Sequence, residues 1–176
     1  MRQQNKHLGF TIVELLIVIV VIGILAAITI VAYNGIQDRA RLSKMQSDVQ
    51  NLSKAIQIAR NQSGQVIGQI TGNFGTAGGC AGKPSGTDLA ALPRSTDGCW
   101  TAYANTLNII STVSGVNVRN LVDPYGRPYF IDENENEGSP ANCNKDTLGA
   151  FPQPFVTGWG RMVGTAVDVP NSAPGC

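Results

Sequence analysis

The chain predicts an α+β fold in which a long N-terminal α-helix, transmembrane in its first half, packs by its second half on a small antiparallel β-sheet domain. Three observations carry this expectation. An apolar run extends from Phe10 to Tyr33, an amphipathic stretch continues it to about Asn61, and short β-prone runs broken by Gly, Pro and Asn lie beyond Gly115. The length of 176 residues suits one compact domain with an appendage.

The apolar run FTIVELLIVIVVIGILAAITIVAY holds 24 residues and one charge, Glu14. As a helix it spans roughly 36 Å, against a bilayer core of about 30 Å. Arg2 and Lys6 stand just before it and all four cysteines after it, so the positive-inside rule leaves the leader in the cytoplasm and the remainder outside. A secretory signal would carry a shorter apolar core of about 7–15 residues and an A-x-A-like site beyond it. Neither is present, and an uncleaved membrane anchor is the plain alternative. A carboxylate in hydrocarbon, however, costs an anchor about 2.5–3.5 kcal/mol for no return. A cut between Gly9 and Phe10 would place a new α-amine one helical turn before Glu14, within the same chain or on a neighbouring copy. In low dielectric either pairing is strong, and the intermolecular one would set the register of assembly.

Gly9, Phe10, Thr11 and Glu14, followed by LLIVIVVIGILAAITI, closely resemble the class III signal of type IV prepilins and pseudopilins, over about Lys6 to Gln37. The resemblance implies the pilin fold, cleavage after Gly9 by a cytoplasm-facing prepilin peptidase, N-methylation of Phe10 and Glu14 as the assembly residue. It implies a single-pass plasma membrane protein that becomes a subunit of a helical, extracellular type IV pilus-like homo-oligomer serving adhesion, motility or DNA uptake. Its partners would be the membrane, the peptidase, a pilus assembly platform and other copies of itself. The chain then divides into a leader at 1–9, a transmembrane and assembly helix at 10–33, its amphipathic continuation at 34–63 and an extracellular globular domain at 64–176. Val31 stands where many members carry a helix-kinking proline, so flexibility in a filament is expected near Gly23 or Gly35 instead.

Beyond Gly35, Ile36, Ala40, Met45, Val49, Leu52, Ile56 and Ala59 trace one stripe at three- and four-residue spacing. Arg39, Arg41, Lys44, Asp48, Lys54 and Arg60 largely avoid it, and the stripe is expected to pack on the chain's own domain. The helix is expected to end near Asn61 to Gly64, after roughly 75–80 Å. The domain cannot bury such a rod, so its first half must meet lipid or other copies.

The stretch from Gly64 to Thr87 is rich in Gly, Ser and Thr and reads as a surface connection fastened by Cys80, without packed regular structure; its glycines lack phosphate-loop spacing. Strands are expected at Val116 to Val122, Tyr129 to Ile131, Phe155 to Trp159 and Met162 to Val169, and a short helix at Thr101 to Val113. In LVDPYGRPYFID, Asp123 and Pro124 fit the start of a turn closed by Gly126 that delivers Tyr129 and Ile131 to one strand face. DPYGRPY also resembles the D-P-W-G-x-P-Y segment of type II secretion major pseudopilins. The run Asp132 to Glu137 has calcium-like D-x-N-x-N spacing, but Glu137 stands where an EF-hand needs Gly, and a solvated acidic turn is expected. No metal or cofactor is assigned.

Cys80, Cys99, Cys143 and Cys176 form no C-x-x-C pair and read as two disulfides of an oxidising compartment. Three pairings are open. Cys80–Cys99 with Cys143–Cys176 is preferred because it closes two local loops, the second similar to the disulfide-bounded region of many pilins. Trp100, Trp159, Tyr103, Tyr125 and Phe155 are expected mostly in the core.

The formal charge is +1, from 13 basic and 12 acidic residues; removal of Arg2 and Lys6 with the leader leaves 11 against 12, or −1. Such a balance does not indicate nucleic-acid binding. The single histidine, His7, lies in the leader, which disfavours an enzyme built on imidazole chemistry. The competing functions are a secretion-type pseudopilin and an uncleaved, membrane-anchored binding protein.

Overall fold

The computed structural model describes residues 11–72, 77–134 and 145–170. The chain divides into two units, Met1–Ala40 and Arg41–Cys176. One helix, α1 (Ile12–Ser63), contributes to both.

In the first unit α1 is uninterrupted through Gly23, Val31 and Gly35. With Gly at about 1 kcal/mol below Ala in helix propensity, two isolated glycines do not break so long a run of Ile, Leu and Val. Every large apolar side chain from Ile12 to Ile36 is exposed, from 47% at Val21 to 85% at Ile12. The hydroxyl of Thr29 is satisfied locally, donating to the Ala26 carbonyl at 2.9 Å. The segment is long and apolar enough to cross a membrane.

In the second unit the expected stripe buries Met45, Val49, Leu52, Ile56 and Ala59, while Ile36 and Ala40, in the first unit, are exposed. The helix stops at Ser63 because Gly64 takes a left-handed φ of 68° and donates to the Arg60 carbonyl at 2.8 Å. Among the described residues three helices follow: α2 (Ile67–Thr71), α3 (Gly78–Ala81) and α4 (Gly98–Ser114). Asp97 caps α4 by accepting from the Cys99 N–H at 2.9 Å, and Lys83 at 2.5 Å holds its carboxyl below the usual carboxylate range.

The sheet is antiparallel, in the order β1 (Tyr129–Asp132), β2 (Asp146–Ala150), β3 (Val167–Val169). Tyr129 faces Ala150 and Ile131 faces Leu148 across the first ladder, and Leu148 faces Val167 across the second. Alternation along β1 sends neighbouring side chains to opposite faces. Tyr129 and Ile131 join the main core with Val49, Leu52, Ile56 and the α4 residues Trp100, Tyr103 and Leu107. Phe130 joins a second cluster with Phe151, Phe155, Leu89 and the half-cystines Cys80 and Cys99. The sheet is thus covered on both faces.

Several expectations are corrected. Gly64 to Thr87 is not a bare surface connection, since it holds α2 and α3 and buries Val66, Ile67, Cys80 and Ala81. Val116 to Val122 is no strand: the Val118 N–H donates to Ser111 Oγ, and the Leu121 and Val122 carbonyls accept from Tyr103 and Lys44. Side chains there take the bonds a ladder would use. Phe155 to Trp159 is no strand either, because its backbone bonds go to the loop at 81–86, with Gly158 donating to the Ala81 carbonyl and Gly86 to that of Phe155. Of Met162 to Val169 only Val167–Val169 is laddered, and β2 was not foreseen. The helix expected at Thr101 to Val113 is present but longer, as α4.

Arg60, assigned to the polar side of the stripe, is 3% exposed and pairs with the fully buried Asp146 of β2. Its Nη1 also donates to the Pro170 carbonyl at 2.9 Å. Asp48 is half-buried: it accepts from the Tyr129 hydroxyl at 2.6 Å and from Lys44 at 2.5 Å. Burial and this carboxylate push the Tyr129 phenol upward from its ordinary value.

Candidate functional site

Glu14 and Thr11 begin α1 as a reciprocal pair. The Glu14 carboxylate accepts from the Thr11 N–H at 2.8 Å and from its hydroxyl at 2.6 Å, and the Glu14 N–H donates to Thr11 Oγ1 at 3.3 Å. This is a capping box, which satisfies amide donors that a helix start leaves without partners. Glu14 also places negative charge in the first turn, where the helix dipole favours it. Thr11, part of the resemblance to the class III signal, has this capping role as well, for which T-x-x-E ahead of an apolar run is a legible signal. The Gly9–Phe10 bond at which cleavage is expected, and Phe10 as the expected methylation position, lie outside the described residues.

Cys80 and Cys99 form a disulfide joining α3 to the start of α4. Gly79 lets the two backbones approach: a Cβ there would lie 3.2 Å from Cys99 N and from the Gly98 carbonyl. Closing 19 residues of chain, this bridge contributes about 3 kcal/mol by restricting the unfolded state. A Cys80→Ala/Cys99→Ala double variant of the full chain in detergent is expected to lose that amount in urea titrations, read by near-UV dichroism. Cys143 and Cys176 lie outside the described residues.

The DPYGRPY segment is a turn built around an arginine. Gly126, with φ at 79°, donates to the Asp123 carbonyl at 2.9 Å, and Asp123 Oδ1 accepts from the Tyr125 and Arg127 N–H groups. The buried Arg127 guanidinium meets Asp123 Oδ2 at 2.7 and 2.6 Å and the Phe151 and Pro152 carbonyls at 3.0 and 2.8 Å. Gln153 Oε1, at 2.6 Å, brings the contacts to five, on four acceptor atoms, for five N–H donors. The turn is therefore locked to the strand-exit residues after β2. Tyr125 lies beneath the guanidinium groups of Arg127 and Arg41, at 5.1 and 5.4 Å.

Among the residues of the acidic run, Asp132 accepts from Thr147 at 3.3 Å, Asn134 donates to the Lys145 carbonyl at 2.7 Å, and Glu133 is buried, so this part is not simply a solvated turn. Residues 135–137 lie outside the described set. Among the described residues no group of His, Cys, Asp and Glu could hold a metal ion. Trp100, Tyr103 and Phe155 are in the core, whereas Trp159 is 55% exposed.

The family model described as the prokaryotic N-terminal methylation motif matches residues 4–30. A fimbrial protein of Moraxella nonliquefaciens is 30% identical over 164 residues, which cover 85% of this chain and 99% of that protein. Two fimbrial proteins of Pseudomonas aeruginosa are 36% identical over 63 residues, 36% of this chain and 41% of theirs. No solved structure matches. These likenesses define a structural fimbrial protein rather than an enzyme. The chain belongs to the type IV pilin family, and its fold, a long N-terminal helix with a small antiparallel sheet, agrees with that membership.

Proposed function

We propose that this pilin subunit is inserted in the plasma membrane with its C-terminal domain outside, cut between Gly9 and Phe10, methylated at Phe10 and added to an extracellular helical filament of identical copies. Residues 1–9 act as the leader, 10–33 as the membrane and assembly helix, 34–63 as its amphipathic continuation and 64–176 as the displayed domain. The observation that carries this reading is the exposure of all seventeen large apolar side chains from Ile12 to Ile36. At about 1.5–3 kcal/mol for each burial, their transfer into lipid or onto neighbouring helices outweighs by an order of magnitude the cost of one carboxylate. Lipid covers them first and other copies afterwards, with Glu14 of an arriving subunit meeting the N-terminal amine of its neighbour. Flexibility of the helix in the filament is assigned to Gly23 or Gly35, and Cys143 is paired with Cys176.

A second reading, a secretion-type pseudopilin, is favoured by the DPYGRPY turn alone. Filament length in the native host separates the two. The primary test is the N-terminus of surface-sheared protein by mass spectrometry. The expected terminal peptide begins at N-methylated Phe10, and a retained Met1 would overturn processing and assembly together.

A further inference from the structure

Between α4 and the turn-containing segment at 116–122 lies a cleft of about 150 Å³, lined among others by Arg94, Trp100, Tyr103, Arg119 and Asn120. Among the described residues its two charged walls are both arginines and no carboxylate lines it. Three nearby carboxylates are paired with other cations: Asp123 with Arg127, Asp97 with Lys83 and Asp48 with Lys44. Two like charges around one small concavity repel each other unless an anion joins them.

Both forks are held and largely unspent. Arg94 stacks 4.4 Å over the Trp100 ring and donates to the Gly126 carbonyl at 3.2 Å. The indole beneath it is fixed by its own bond to the Leu89 carbonyl at 2.8 Å. Arg119 donates to Thr112 Oγ1 at 3.1 Å. A guanidinium carries five N–H donors, so these bonds leave most of each fork for a ligand. Guanidinium forks match the paired oxygens of phosphate and carboxylate groups, and stacking on an aromatic ring preorganises one for that purpose.

We propose that this cleft is a binding site for a small oxyanion group, phosphate or carboxylate, gripped by Arg94 and Arg119 with the exposed Asn120 amide as a further donor. The site concerns the displayed domain and stands independently of how the N-terminal helix assembles. Its size admits a single anionic group and excludes a bulky apolar ligand.

Trp100 reports on the cleft directly, once Trp159, which lies outside it, is replaced by Phe. Inorganic phosphate and sodium acetate are titrated separately into the full chain in detergent, each against chloride at matched ionic strength. The expected result is a saturable change in Trp100 emission with a midpoint on the order of 1–10 mM, typical of charge pairing open to water. Saturation by phosphate alone assigns a tetrahedral group, and saturation by acetate as well extends the site to carboxylates. Arg119→Gln, at an exposed position, is expected to raise the midpoint at least tenfold with an unchanged thermal transition. A response equal to that of chloride, or an Arg119→Gln midpoint equal to the parent's, would overturn the proposal.

Discussion

Arg60→Ala is expected to destabilise the globular domain by about 3–5 kcal/mol, a large share of the 5–15 kcal/mol typical of a folded domain. Arg60 and Asp146 are both buried, so truncating the arginine removes the guanidinium that faces a carboxylate in the core. The same substitution removes the bond to the Pro170 carbonyl and the packing of the side-chain stem. Urea titration of the full chain in detergent, followed by near-UV dichroism, measures the loss. A double variant, Arg60→Met with Asp146→Leu, is expected to recover most of it, because a buried ion pair is replaceable by apolar side chains of similar volume. A single-variant loss below about 1 kcal/mol would mean that the pair contributes no more than a surface bridge.

Loss of filaments is the expected outcome for both Glu14→Ala and Glu14→Gln, with processed subunits accumulating in the membrane. The two variants separate the carboxylate's two tasks. The capping box accepts Gln as well as Glu at its last position, so Glu14→Gln keeps the helix start that Glu14→Ala weakens. Only Gln therefore preserves geometry while deleting charge. If charge pairing with a neighbour's amine drives assembly, the two variants fail alike. Should Glu14→Gln build fibres at the parent's level while Glu14→Ala does not, the carboxylate would serve the start of α1 and the pairing mechanism would be wrong.

The parts of this structure that were legible in the sequence are those governed by local pattern. The unbroken apolar run, the 3.6-residue stripe from Met45 to Ala59 and Gly64 as a terminator are written in neighbouring residues, and α1 follows them. Asp123 with Gly126 likewise sets the turn before β1. What was misread depends on distant partners. The segment DTLGA begins with an acid and contains a glycine, yet it forms the central strand because Asp146 meets Arg60 from 86 residues away. Val116 to Val122 alternates like a strand but spends its backbone on Ser111, Tyr103 and Lys44. The glycines after α1 concealed α2 and α3, since small residues there serve close backbone packing around Cys80–Cys99. At the head of α1 the Thr11–Glu14 bonds are local and follow from the T-x-x-E spacing, independently of the cost of an acid in lipid.

The arginine in the last turn of α1 has a mechanical meaning. Tension along that helix in the proposed filament would reach Asp146, at the start of the central strand, and the carbonyl just past β3 before it reached the chain reversal at Gly64. Load on such a filament would enter the sheet through side chains at two separate points of the fold, with the covalent link behind them left slack.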